Sequence, residues 1–198
     1  MAKQLNWLQV EKTVRRSGLV IFSPQDLRHL LRGSDVSLRF LLTRAHQRGE
    51  VVKLRRELYA LPDHLPSELE IANALIKPSY VSFHYALAYY HLIPEAVFEI
   101  ASATTRTTRR FDSLDKVFTY HHIQPAAFTG YRPENIGERT ILIAEPEKAL
   151  VDSLYFACLG RLHLPERLDA SRLEPERMIA LARLFRRSEL ITKVETLL

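Results

Sequence analysis

The sequence is poor in cysteine and glycine, with one cysteine, Cys158, and six glycines in 198 residues. A single cysteine cannot form a disulfide within the chain, which fits a reducing compartment and favours a buried structural thiol over a reactive one. Few glycines leave little room for a phosphate-cradling loop, and the patterns GxGxxG, GxxxxGKS, GxSxG and HExxH are absent. The common signatures of dinucleotide-binding proteins, nucleoside triphosphatases, hydrolases and zinc peptidases are therefore absent.

Long apolar runs are also missing. The longest, at 85–90, is bounded by His84 and His91 and is far shorter than the about 20 residues that a spanning helix needs. Polar residues such as Asn6 and Glu11 interrupt the region where a secretory signal would have its apolar core. We therefore expect a cytoplasmic protein with no membrane partner.

Positive charge is concentrated at one end. Residues 1–61 hold twelve basic and five acidic side chains, a net charge of +7, whereas residues 62–198 hold sixteen basic and eighteen acidic ones, a net charge of −2. Lysine and arginine neutralise phosphates and release their condensed counterions. Together with the absence of a membrane segment, this asymmetry predicts a nucleic-acid partner.

The same basic segment has the pattern of a winged helix-turn-helix. A first helix ends at Ser17-Gly18, and a second begins at Ser23-Pro24-Gln25-Asp26 with a capping serine and a proline in its first turn. A third helix is predicted over 36–48 and is closed by a glycine. Two short strands, 51–54 and 58–61, then flank a basic tip.

The rest of the chain predicts a second domain. Pro62 and Pro66 mark the boundary, so the predicted domains are 1–62 and 66–198. The second should contain helices at 68–76, 82–92, 146–159, 174–187 and 189–197, and strands at 96–104, 116–122 and 139–144. The predicted fold class is α+β, with an N-terminal winged helix-turn-helix domain followed by a mixed α/β C-terminal domain.

The third helix supplies the candidate DNA-reading surface. Its leucines share one face, so the opposite face should meet solvent. Arginine and glutamine make bidentate hydrogen bonds to guanine and adenine, and phenylalanine or a threonine methyl can touch the thymine methyl. The candidate DNA-binding residues are Ser37, Arg39, Phe40, Thr43, Arg44, Gln47 and Arg48 on the helix and Lys53, Arg55 and Arg56 at the hairpin. The alternative for the whole set is a solvated basic helix face. Phe40 alone has a further alternative, which is packing on the hairpin or on the first helix.

A group of acidic residues permits a different function. Glu145, Glu147 and Asp152 beside Lys148 could hold Mg²⁺ as a nuclease, but Pro146 lies among them and acids at a helix start are stabilised in any case. We therefore favour a structural role, with no catalytic residue, metal or cofactor.

An aromatic run could stack RNA bases if it were exposed, although such a run is more often core. Its members are Tyr80, Phe83, Tyr85, Tyr89 and Tyr90.

Several short motifs resemble those of a known family. They are Lys77-Pro78-Ser79-Tyr80-Val81-Ser82, Leu92-Ile93-Pro94-Glu95, Phe128-Thr129-Gly130-Tyr131 and Ile143-Ala144-Glu145-Pro146-Glu147-Lys148-Ala149-Leu150-Val151-Asp152. On these the chain resembles the AbiEi family of antitoxins and transcriptional regulators, from type IV toxin-antitoxin and abortive phage-infection systems. The family often has glycine after the histidine of its helix-end segment, where this chain has Leu92 after His91.

The resemblance implies a bacterial repressor that is not an enzyme. Its N-terminal domain would bind double-stranded DNA at inverted repeats in its own promoter, and its C-terminal domain would counteract a nucleotidyltransferase-like toxin without forming a stable complex with it. A member encoded without a toxin would retain only the nucleic-acid-binding half of this function.

Overall fold

The computed structural model describes residues 6–31, 33–137 and 139–197 and contains both helices and sheets, so the mixed α and β class is confirmed. Its contacts divide the chain into two units, one ending at Ser67 and the other beginning at Glu68. No helix within the described ranges combines the length and apolar composition needed to span a bilayer.

In the part of the first unit that the structure describes, there are three helices and a small antiparallel sheet. In chain order its elements are α1 (Trp7–Ser17), β1 (Ile21–Phe22), α2 (Pro24–Leu31), α3 (Asp35–Gln47), β2 (Val52–Arg55) and β3 (Leu58–Ala60). The strands pair in the order β1, β3, β2. Strand β1 was not predicted, because a two-residue strand is too short to show an alternating pattern.

Local side-chain hydrogen bonds fix the starts of α2 and α3. The Asp26 N–H donates to Ser23 Oγ at 3.2 Å, and the Ser23 N–H donates to the Asp26 carboxylate at 2.8 Å, which is a reciprocal cap. The Ser37 N–H donates to Ser34 Oγ at 3.2 Å. After α3, Gly49 takes φ +73°, a conformation that costs glycine little. The predicted bounds of α3 are therefore correct to within one residue.

The core of the first unit fixes the rotation of α3 about its axis. Leu38, Leu42 and Ala45 are fully buried. They pack with buried side chains from the other elements of the unit, namely Val10, Val14, Phe22, Leu27, Val51, Tyr59 and Leu61. Truncating a buried leucine of this kind typically costs about 2–5 kcal/mol, so the opposite face of α3 is held toward solvent.

The second unit is built on a six-stranded mixed sheet. Its elements are α4 (Glu68–Leu75), β4 (Ser79–Val81), α5 (Phe83–Tyr89), β5 (Glu99–Thr104), β6 (Arg109–Ser113), β7 (Lys116–His122), β8 (Tyr131–Ile136), β9 (Arg139–Ala144), α6 (Pro146–Cys158), α7 (Pro175–Arg183) and α8 (Ser188–Leu197). The strand order is β6, β7, β5, β4, β9, β8. Strand β4 is central, antiparallel to β5 and parallel to β9, where Val81 lies opposite Ile143.

Several predicted elements of the second unit are longer than the observed ones. The helix predicted over 82–92 is α5, which ends at Tyr89, and His91 beyond it has φ +57°, which is incompatible with continuing the helix. The strand predicted from 96 begins at Glu99, and the helix predicted over 174–187 is Pro175–Arg183. The strand over 116–122 and the strand over 139–144 have the predicted bounds.

Candidate nucleic-acid interface

The face of α3 opposite its buried leucines is exposed along its whole length. Val36 is 72% exposed and Phe40 is 63% exposed. The other candidate residues of the helix are exposed as well: Ser37, Arg39, Thr43, Arg44, Gln47 and Arg48. Phe40 is therefore largely exposed and lies outside the core of the first unit, which argues against its packing on the hairpin or on α1. An exposed face of this kind is common to a DNA-binding helix and to a solvated basic helix.

One arginine of this face is paired with the hairpin. Arg39 Nε lies 2.9 Å from Glu57 Oε1, and Glu57 occupies the turn between β2 and β3 with φ +61°. Both side chains are well exposed, at 55% for Arg39 and 40% for Glu57. An exposed pair of this kind contributes only about 0–1 kcal/mol, so a phosphate or a guanine can displace Glu57 from Arg39.

Two hydroxyl groups of the face are already used within the helix. Thr43 Oγ1 donates to the Arg39 carbonyl at 2.9 Å, and Ser34 Oγ donates to Ser37 Oγ at 2.8 Å. The Arg44 guanidinium lies 5.4 Å from the centroid of the Phe40 ring. The freest polar groups that α3 offers to a ligand are thus the Arg44 guanidinium and the Gln47 amide.

The three basic residues of the hairpin differ in how freely their side chains are exposed. Lys53 and Arg56 are exposed and have no acidic partner among the described residues. Arg55 is only half-exposed, because its guanidinium turns back and donates to the Arg56 carbonyl at 3.0 Å. The sequence grouped all three as DNA-binding candidates at the hairpin, but the structure presents only Lys53 and Arg56 freely.

At the end of α3, Arg48 also has an acidic partner. Its guanidinium lies 2.8 Å from the Glu50 carboxylate. Sequence reasoning missed both Glu50 and Glu57 as members of this surface. The available signal was their position, since each acid stands within two residues of a candidate arginine in the helix end or the hairpin tip.

The acidic group at the start of α6 does not form one site. Lys148 and Asp152 are fully buried and form an ion pair one helical turn apart. The second oxygen of Asp152 accepts hydrogen bonds from Ser82 at 2.7 Å and from Tyr80 at 3.1 Å. Burial lowers the pKa of Lys148, whereas burial and the Asp152 charge raise the pKa of Tyr80 well above its ordinary value. Asp152 is therefore sealed from a metal ion or a substrate.

The two glutamates beside it serve the packing of α6 and α7. Arg177 of α7 pairs with Glu145 and lies 3.9 Å from Glu147, and the Glu174 N–H donates to Glu147 at 3.4 Å. Within the residues that the structure describes, no group of three or more His, Cys, Asp or Glu side chains is placed to hold a metal ion. The structure thus does not assemble the carboxylate grouping of the nuclease alternative.

Two members of the aromatic run are buried in the core, and the other three are partly exposed. Tyr80 and Phe83 are fully buried, and the Tyr80 ring stacks on Tyr131 with centroids 4.6 Å apart. Tyr85, Tyr89 and Tyr90 are only half-buried. The continuous exposed stacking surface that the RNA alternative requires is therefore not present.

The motif that carries most of the family resemblance is a packing motif. From Glu147 to Leu154 every residue of α6 is buried. Gly130, from another of the resembling segments, lies against it, so that a Cβ added there would be 3.2 Å from Lys148 Cβ. The two segments fit each other closely, so a side chain at position 130 would press on Lys148.

Comparison with known proteins does not extend this likeness. The sequence matches no protein-family model and no curated protein. The similarity to AbiEi antitoxins accordingly rests on the motifs quoted above.

Proposed function

We propose that the protein is a DNA-binding transcriptional regulator of the bacterial cytoplasm, with a winged helix-turn-helix as its first unit. The element order α1, β1, α2, α3, β2, β3, with the sheet order β1, β3, β2, supports this proposal. In such a domain α2 and α3 are the two helices of the motif, α3 enters the major groove and the β2–β3 hairpin is the wing beside it.

The observation that carries the proposal is the uncovered face of α3 on a strongly basic unit. Arg39, Arg44 and Gln47 have the donors that read guanine and adenine edges, and all three are exposed. Lys53 and Arg56 would neutralise phosphates without reading sequence. A regulator of this type binds inverted repeats as a symmetric pair, with each half-site one helical turn from the next.

The second unit supports the more specific part of the proposal. Its Ile143–Asp152 motif, largely buried, and Gly130 are among the residues that resemble AbiEi antitoxins. We propose that this unit counteracts a nucleotidyltransferase-like toxin by binding rather than by catalysis. No stable toxin complex is required. Where no toxin is encoded nearby, the protein would act as a solitary regulator.

A gel-shift experiment tests the DNA-binding proposal. The probe is the duplex upstream of the protein's own gene, and the control is a duplex of the same composition in shuffled order. We expect the upstream duplex to be bound at least tenfold more tightly and a reporter on that promoter to be repressed. Equal, weak binding to both duplexes would overturn the proposal.

The toxin part needs a separate experiment. The neighbouring reading frame is expressed with and without this protein, and growth is measured. Growth arrest that this protein relieves would support the antitoxin role. An absent or unrelieved arrest would leave only the regulator.

A further inference from the structure

An apolar strip runs along the exposed face of α3 and is not explained by hydrogen-bond readout of bases. It consists of Val36, Phe40 and the methyl group of Thr43, which are spaced four and three residues apart and so lie in one row. Val36 is 72% exposed and Phe40 is 63% exposed. Single exposed apolar side chains are ordinary, but two large ones adjacent in a row leave a continuous surface that favours an apolar contact.

The polar groups next to the strip belong to Thr43 and Arg44. The Thr43 hydroxyl donates to the Arg39 carbonyl, which occupies the polar end of that side chain within the helix. The Arg44 guanidinium lies 5.4 Å from the centroid of the Phe40 ring, beside the strip. The strip therefore exposes apolar carbon atoms to a ligand, with cationic side chains on either side of it.

We infer that this strip reads thymine, by contacting the 5-methyl groups of adjacent thymines in the major groove. The inference rests on the proposed DNA-binding function and assigns the base class that the first half of α3 selects. The thymine methyl is the apolar group that a base pair offers in the major groove. The N-terminal residues of a recognition helix contact base edges, and Val36 and Phe40 lie in the first half of α3, whereas Arg44 and Gln47 would reach bases further along the groove.

Charge favours DNA over a second copy of this chain as the occupant. Arg39 and Arg44 flank the strip, and Arg44 has no acidic partner among the described residues. Two identical strips placed face to face would bring these cations together, which is unfavourable in the reduced dielectric of an interface. A phosphate backbone on either side of the groove complements the same cations.

Replacing thymine by uracil isolates the contact. The two bases have identical hydrogen-bonding edges and differ only in the 5-methyl group. A duplex is first enriched by the wild-type protein from a pool with a randomised centre. It is then resynthesised with 2′-deoxyuridine in place of thymine, one position at a time, and its affinity is measured by fluorescence anisotropy.

We expect the enriched duplex to contain thymine in each half-site, and one or two of the replacements to weaken wild-type binding about fourfold each, the effect of one buried methyl-sized group. The Phe40→Ala protein should bind thymine and uracil duplexes equally at those positions. The Phe40→Leu protein, which keeps an apolar side chain, should retain part of the preference for thymine.

The matched control is Leu8→Ala, because Leu8 is also exposed, at 58%, but belongs to α1. It should discriminate as the parent does.

The outcomes separate this inference from the proposed function. If the wild-type protein enriches no duplex, the proposed function fails and this inference fails with it. If it binds DNA but treats thymine and uracil alike, or enriches sites without thymine, only the thymine inference is overturned. If Phe40→Ala keeps the thymine preference while light scattering shows a lower mass than the parent, the strip joins two copies and the inference is likewise overturned. Circular dichroism of Phe40→Ala checks that its fold is intact.

Discussion

Arg39 of α3 and Glu57 of the β2–β3 turn form an ion pair with 2.9 Å between Nε and Oε1. The pair joins the helix that would read bases to the hairpin that would lie beside it. It also places a carboxylate on a surface proposed to bind phosphates. Because both groups are exposed, the pair stabilises the fold little, and its main consequence is for DNA binding.

Removing that carboxylate should strengthen DNA binding. In Glu57→Gln the repulsion between the carboxylate and phosphates is lost and Arg39 is released, so affinity should rise severalfold at low salt. The slope of log K against log salt should steepen by about 1, as for one additional phosphate contact. Fluorescence anisotropy over a series of salt concentrations measures both quantities.

The control for Glu57→Gln is Glu176→Gln, which removes the same charge from an exposed position in the second unit. It should leave the slope unchanged. Indistinguishable slopes for Glu57→Gln, Glu176→Gln and the parent would show that Glu57 does not face the DNA.

The free cations of the hairpin should act on all sequences alike. Lys53→Ala and Arg56→Ala should each weaken binding to specific and shuffled duplexes by a similar factor and reduce the salt slope by about 1. Arg172→Ala, an exposed arginine of the second unit, is the control and should change neither value. A loss confined to the specific duplex would instead assign these residues to base readout. Arg55→Ala should have a smaller effect, since its guanidinium is held by the Arg56 carbonyl.

The buried pair of the second unit should show strong coupling. Lys148→Met leaves the Asp152 carboxylate buried without its cation, which should lower the free energy of unfolding by about 3–5 kcal/mol. Asp152→Asn leaves the ammonium unpaired and should also destabilise the fold. In the double variant neither charge remains, so its loss should be smaller than the sum of the two single losses by about 1–3 kcal/mol.

Urea unfolding of the four proteins measures this coupling. Additive losses would mean that the two side chains do not interact in solution. Both outcomes are independent of DNA binding, because the pair lies in the second unit.

His121 should make the fold sensitive to acid. Its ring lies 4.9 Å, between centroids, from both Phe83 and Phe156, and burial lowers its pKa. Below about pH 6.5, the ordinary value for histidine, the unfolded chain therefore takes up a proton before the folded one does. The free energy of unfolding should then fall as the pH falls from 6.5 through the lower pKa of the folded state.

Replacing this histidine tests whether its protonation lowers the free energy of unfolding in acid. His121→Phe should reduce the loss of stability between pH 7.5 and pH 5, and some loss should remain because burial also lowers the pKa of His84. His122→Gln is the control, since His122 is exposed on the same strand. Equal acid sensitivity of His121→Phe and the parent would contradict the assignment.

Helical periodicity was sufficient to predict which face of α3 is exposed. Leu38, Leu42 and Ala45 recur at helical spacing, and such a row is buried whatever surrounds it. The caps of α2 and α3 were predictable for a similar reason, because serine and aspartate act on N–H groups only three residues away.

Three strands of the second unit were not predicted from the sequence, because each is very short or lies at an edge of the sheet. Strand β4 has three residues and is buried throughout, so no alternation marks it. Strand β8 contains Pro133, which an edge position tolerates but which normally argues against a strand. Strand β6 is rich in charge because it lies at the other edge of the sheet.

Contacts between distant parts of the chain were also beyond the sequence. The ion pair of Arg39 with Glu57 joins two elements, and the hydrogen bond of Ser82 with Asp152 spans seventy residues. Each depends on how elements pack, and neither residue type nor spacing specifies the partner. For the same reason the turned-back Arg55 guanidinium could not be distinguished from the free side chains of Lys53 and Arg56.

The central claim is that the exposed face of α3 binds DNA, and a matched pair of triple variants tests it most directly. The first is Arg39→Ala/Arg44→Ala/Gln47→Ala, and the second is Arg110→Ala/Arg172→Ala/Thr107→Ala in the second unit, where all three residues are exposed. Each variant loses two positive charges and one neutral polar side chain. Affinity for the upstream duplex is measured by anisotropy at one salt concentration. The first variant should lose at least a hundredfold in affinity, since each base contact contributes about 1–3 kcal/mol, and the second should bind like the parent. Equal affinities for the parent and the α3 variant would contradict the account.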